Sequence, residues 1–136
     1  MSVETALRVR LPNRPGELAR VASQLARANV NIRAVGGVAG AAGAAESVLE
    51  FLVDRPAEAA RAWREAGTRF EEVQVALVWL ADEPGALAKA SAALAEAGIN
   101  LDSTYIARTE AGRTQVAFTC ADAQQADRIL AGMSQE

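Results

Sequence analysis

A chain of 136 residues without histidine and with one cysteine, Cys120, cannot assemble a Ser-His-Asp or Cys-His catalytic set, a histidine-based metal site or an internal disulfide. Its 14 Lys and Arg stand against 17 Asp and Glu, so the basic face that neutralises nucleic-acid phosphates is not evident and nucleic acid is set aside as a partner. Met1–Thr5 has no basic stretch leading into an apolar run, and no segment approaches the roughly 18 unbroken apolar residues of a membrane span, which reads as a soluble, cytoplasmic protein with no membrane partner.

Leu7, Val9 and Leu11 alternate with Arg8 and Arg10, the period of a strand with one covered face. Leu18, Val21, Ala22 and Leu25 then fall at helical spacing, with Pro15 near the first turn, where its missing N–H costs nothing, and Asn29 at the helix end. Residues 31–35 predict a second strand and Ser47 to Val53 a third, with Leu49, Phe51 and Val53 on one face. Between them the run Gly36 to Ala45 is nearly all glycine and alanine, and predicts a mobile hairpin tip. Asp54 is a candidate N-cap, Pro56 suits a first helical turn and Gly67 its end, with Ala59, Ala60 and Trp63 as the inward stripe; Phe70 to Val75 completes a βαββαβ unit.

The pattern then restarts. Ala76, Val78 and Leu80 form the core face of a strand, and a helix carries Leu87, Ala90, Ser91 and Leu94. Strands follow around 101–107 and 114–121, and a last helix runs from about Asp122 to Ala131 with Ala126, Ile129 and Leu130 inward. Cys120 alternates with Val116 and Phe118, which makes it a small buried hydrophobe.

The restart is a repeat of sequence as well as of pattern. Leu11-Pro12-Asn13-Arg14-Pro15-Gly16-Glu17-Leu18 returns 69 residues later as Leu80-Ala81-Asp82-Glu83-Pro84-Gly85-Ala86-Leu87, and Val30-Asn31-Ile32 returns as Ile99-Asn100-Leu101. Past the second strand the offset falls to 67, pairing Phe51 with Phe118 and Ala59 with Ala126, as if the second hairpin were two residues shorter. Two domains are expected, 1–74 and 75–136, the second without a closing strand of its own and so with an edge that invites a partner. Units of about 65 residues bury only about 60% of their unfolded surface, so each should lean on the other or on a second chain. Where the first strand carries Arg8 and Arg10 opposite the core, the matching positions carry Leu77 and Trp79, which points to an interface there.

A strand, an Asn-Arg-Pro-Gly or Asp-Glu-Pro-Gly corner, a Leu-containing helix and a Val-Asn-Ile or Ile-Asn-Leu entry to the next strand resemble the ACT-domain family, twice at one register and over nearly the whole chain. The resemblance implies an α+β fold of tandem ferredoxin-like βαββαβ units, antiparallel sheets with helices on one face. It implies a non-enzymatic regulatory protein, a homodimer that binds a free amino acid between ACT-like units without a cofactor and acts on a separate enzyme. The alternative is a ligand-free dimerisation or adaptor module. The family's binding positions fall here on Leu11, Asn13, Pro15, Gly16 and Asn31, and on Leu80, Asp82, Pro84, Gly85 and Asn100.

Physical chemistry extends that set into the helix. The main chain at Gly16, Glu17 and Leu18, or at Gly85, Ala86 and Leu87, offers unpaired N–H groups and the positive end of a helix dipole to an α-carboxylate. The Asn and Asp side chains can accept from the α-ammonium, or they simply cap and terminate helices. Asp82-Glu83 would repel a bound carboxylate, so either the Asn13 corner alone binds or the Asp82 corner binds with its acid turned to the ammonium.

Overall fold

The computed structural model describes residues 2–39 and 45–134. Ten regular elements follow in order: β1 (Ser2–Pro12), α1 (Glu17–Arg27), β2 (Ile32–Ala39), β3 (Glu46–Val53), α2 (Pro56–Glu65), β4 (Glu71–Ala81), α3 (Ala86–Glu96), β5 (Ser103–Glu110), β6 (Arg113–Thr119) and α4 (Ala123–Leu130). A short 3-10 turn, Ala131–Met133, follows α4. Two compact units result, Ala6–Val73 and Gln74–Glu136 with Met1–Thr5. Each is an α+β sandwich of antiparallel strands and two helices.

In the first unit β3 lies between β2 and β1, with Leu7 opposite Phe51 and Val9 opposite Leu49. The alternation in β1 sends Leu7, Val9 and Leu11 to the side that α1 and α2 cover, where they pack with Val21, Leu25, Phe51 and Trp63. Trp63 is fully buried, edge-on to Phe51 at 5.3 Å, and its indole Nε1 donates to the Val21 carbonyl at 3.2 Å. A buried indole thus keeps its hydrogen bond, and the two helices are tied through it.

The glycine run proved more ordered at its start than its composition implies. β2 continues through Gly36 and Gly37 to Ala39, pairing with β3 as far as Ala39 opposite Ser47. Residues 40–44, the rest of the expected tip, lie outside the described residues. At Gly37 a Cβ would stand 2.4 Å from Leu49 Cδ2 and 2.7 Å from the Val48 carbonyl oxygen, so a glycine is required for the strands to close on that leucine. Gly37→Ala should cost about 1–3 kcal/mol through overpacking against backbone, measurable as a lower midpoint in urea.

In the second unit β6 lies between β4 and β5, with Ala76 opposite Phe118 and Val78 opposite Val116. Those residues, with Leu80, Ala90, Leu94, Cys120, Ala126 and Leu130, form its core, and burial pushes the Cys120 thiol above its ordinary pKa. Val3, from the start of β1, packs on this core, and Gln74 Nε2 donates to Thr5 Oγ1 at 3.2 Å. The shorter second hairpin turns on Ala111 and Gly112, both at positive φ, as a two-residue type I′ turn requires.

Several expectations need correction. β4 is a single strand of 11 residues where the sequence suggested one strand ending at Val75 and another beginning at Ala76. Asp54 does not cap α2, whose N-cap is Arg55; its Oδ1 accepts from the Asn31 N–H at 2.9 Å and so pins the entry of β2 to the exit of β3. Leu77, expected at an interface between sheets or chains, is fully buried within the single chain. Trp79 is half-buried, with the Arg113 guanidinium 4.0 Å and that of Arg108 5.8 Å from its ring centroid.

Candidate functional site

The two strand-to-helix corners share their main features. Gly16 and Gly85 are the N-cap residues of α1 and α3, at φ +91° and +89°, a left-handed turn that a side chain would strain. The N–H of Asn13 donates to the Ala45 carbonyl at 2.9 Å and that of Asp82 to Gly112 at 3.0 Å, which ties each corner to its hairpin tip. The first α-helical bonds are Arg20 N–H to Gly16 and Lys89 N–H to Gly85, both 2.9 Å. Helix geometry therefore leaves the N–H groups of Leu18 and Ala19, and of Leu87 and Ala88, without an intrahelical acceptor.

A cleft lies beside each corner, and the two are lined by equivalent positions. Leu11, Leu18, Gly37 and Leu49 of the first answer to Leu80, Leu87, Ile106 and Val116 of the second. The second cleft measures about 460 Å³ and the first about 220 Å³. Leu18 and Leu87 line the clefts at 47% and 49% exposure, and Ile106 is 64% exposed on the edge strand β5. Apolar residues are thus exposed at the same place in both repeats.

The two clefts also differ at residue 17, a glutamate in the first where the second has Ala86. Glu17 is only 9% exposed, and its carboxylate accepts from Arg14 Nε at 2.9 Å and Arg20 Nη2 at 2.8 Å. These hydrogen bonds, Arg20 first and Arg14 second, hold its pKa below the ordinary glutamate value. The second cleft has Ala86 at that position, and among the described residues no cation lines it; Asp82 and Glu83 give its rim an acidic character, while Tyr105 and Thr104 line it from β5. Because the folded-state pKa of Glu17 is depressed, its stabilisation is full above the ordinary glutamate range and is lost as pH falls through the lowered value. The difference in melting temperature between wild type and Glu17→Gln should accordingly be present at pH 7 and shrink steadily once pH falls below about 4.5.

Among the expected residues, Leu80, Asp82, Ala86 and Leu87 line the second cleft, and Leu11, Glu17 and Leu18 line the first. Asn13 is exposed at its corner without lining the cleft, and Pro15, Gly16, Pro84 and Gly85 act through the turn they form. Asn31 and Asn100 lie elsewhere. Each is exposed beyond the far end of an 11-residue helix, a rise of about 16 Å, so neither meets the corner of its own repeat. The sequence reading omitted Thr104, Tyr105, Ile106, Thr114 and Val116, strand residues that only the sheet register brings beside the corner. Among the described residues no cluster suits a metal ion, and no helix is long and apolar enough to cross a membrane.

Residues 75–131 match the family model of the ACT domain. No curated protein matches the chain. Among solved structures, protein BT0572 from Bacteroides thetaiotaomicron is similar at a TM-score of 0.83, with 23% identity over 96% of this chain and 88% of that one. The regulatory subunit of aspartate kinase from Thermus thermophilus, in its ligand-free form, follows at 0.67, with 20% identity over 98% and 97%. That from Thermus flavus is at 0.64, with 21% identity over 97% and 95%. At these identities the likeness is one of fold.

Proposed function

We propose, from the premise that residues 75–131 are an ACT domain and that the first unit repeats its fold, that this chain is a non-catalytic regulatory protein that senses a free amino acid. The second cleft is the binding site. The observation that carries this reading is an open, largely apolar cavity of about 460 Å³ beside a helix start whose Leu87 and Ala88 N–H groups lack intrahelical acceptors. Those donors and the helix dipole suit an α-carboxylate, Asp82 suits the α-ammonium, and Leu80, Leu87, Ile106 and Val116 suit an apolar side chain. With Asp82 and Glu83 on the rim, the ligand's carboxylate must sit against the helix and its ammonium outward.

The cleft opens along β5, the edge of its unit's sheet, where Ile106 is mostly exposed. A second copy laid on that edge would cover the ligand, and only from there can an Asn100 reach it. Such a homodimer, acting on a separate enzyme, is the assembly this reading requires. Thermal shift and calorimetry against the twenty amino acids test it. An apolar amino acid present at a hundred times its Kd should stabilise the protein by about 2.7 kcal/mol. If none of the twenty shifts the melting temperature at millimolar concentration, the sensor reading is wrong and a ligand-free adaptor is left.

A further inference from the structure

We infer that Glu17 is a built-in occupant of the first cleft: its carboxylate satisfies a guanidinium pair, Arg14 and Arg20, and so leaves each chain one amino-acid site instead of two. The inference rests on the second cleft being a ligand site, and extends it to the repeat that lacks one.

Three observations converge on this. The two clefts share their corner geometry, with Gly16 and Gly85 at φ +91° and +89° and the same first helical bonds, so they began from one design. They differ at residue 17, where a glutamate stands against Ala86, as well as at Gly37 against Ile106 and Leu49 against Val116, and the cleft with the glutamate has about 220 Å³ against about 460 Å³. The acid is also held from two sides. Arg20 donates through Nε at 3.2 Å and Nη2 at 2.8 Å to Glu17 Oε1, and Arg14 donates through Nε at 2.9 Å to Oε2. A carboxylate gripped by both oxygens beside a helix start is the arrangement a bound amino acid's carboxylate would seek.

An ordinary surface ion pair is a poorer account of this group. Such pairs leave the acid in water, whereas the Glu17 side chain is 11% exposed and its partners Arg14 and Arg20 are 68% and 45% exposed. The acid has turned inward and the cations reach in to it. Taking it away would leave the cleft with the Arg14 guanidinium in its lining and deprive that of Arg20 of its carboxylate partner.

The test is the Glu17→Ala protein, titrated with sodium acetate at constant ionic strength and followed by the side-chain Nε–H signals of Arg14 and Arg20. Alanine occupies the same place at the start of α3, so the corner accepts it. Acetate should bind this variant at least about tenfold more tightly than wild type, and Glu17→Ala combined with Arg20→Ala should return to the wild-type level. Equal acetate affinity in wild type and Glu17→Ala overturns the inference, as does binding that survives loss of Arg20. A Glu17→Ala chain that fails to fold also overturns it, since Glu17 would then be a strut of the corner. None of these outcomes involves the second cleft, so the sensor reading stands or falls separately.

Discussion

Trp63→Ala should destabilise the first unit by about 3–5 kcal/mol, the largest loss expected of any single truncation in this chain. The indole has no exposed surface, and its removal opens a cavity between α2, the sheet and α1 that Phe51, edge-on at 5.3 Å, and Phe70, at 5.7 Å, would not fill without leaving their rotamers. The change also strips the Val21 carbonyl of the Nε1 donor that reaches it at 3.2 Å. The equivalent position in the second unit is Leu130, also fully buried. Leu130→Ala should therefore cost less, about 2–5 kcal/mol, because a smaller cavity forms and no hydrogen bond is lost. Urea denaturation followed by tryptophan fluorescence at Trp79, which both variants keep, ranks the two; an equal or larger loss at Leu130 would contradict the role given to the indole.

Ala86→Glu should abolish amino-acid binding at the second cleft while leaving the fold intact. It recreates there what Glu17 does in the first repeat, with Lys89 standing where Arg20 stands. The added carboxylate would face Asp82 and Glu83 across the cleft, so a bound ligand would lose volume and meet a further negative charge beside its own carboxylate. A loss of at least about a hundredfold in affinity, roughly 2.7 kcal/mol, is expected by calorimetry. The melting temperature without ligand should change little, since residue 86 is a half-exposed helix-start position. Binding that survives the substitution would move the site away from this cleft.

Much of the fold was legible because the repeat supplied its own check. The same Leu-to-Leu octet, 69 residues apart, forms two corners with equal glycine φ values and equal closing hydrogen bonds, and the change of offset to 67 appears as a tight turn on Ala111 and Gly112. The errors have physical sources. Gly36 and Gly37 read as loop because composition alone cannot show that Leu49 needs the space above a glycine in a strand. Asp54 read as a cap because the rule for caps is local, and its Oδ1 went to a backbone N–H 23 residues away.

The site was harder to read than the fold. Comparing Asn13-Arg14 with Asp82-Glu83 weighed charge at the rim. The residue that divides the two clefts is 17 against 86, one turn deeper, where Arg14, Glu17 and Arg20 look like ordinary surface pairs three residues apart. Nothing in such a spacing shows that the acid is buried. The strand residues Tyr105 and Ile106 escaped for a related reason, since contact across a sheet depends on register and not on nearness in sequence.

The membership of Met1–Thr5 in the unit of Gln74–Glu136 has a temporal consequence. Val3 is synthesised well before the residues of the core it packs on, which run from Ala76 to Leu130. The segment around Val3 must therefore wait for that core until α4 has been made. A bulky group attached beside Val3 would be felt by the unit whose other residues follow only after Val73.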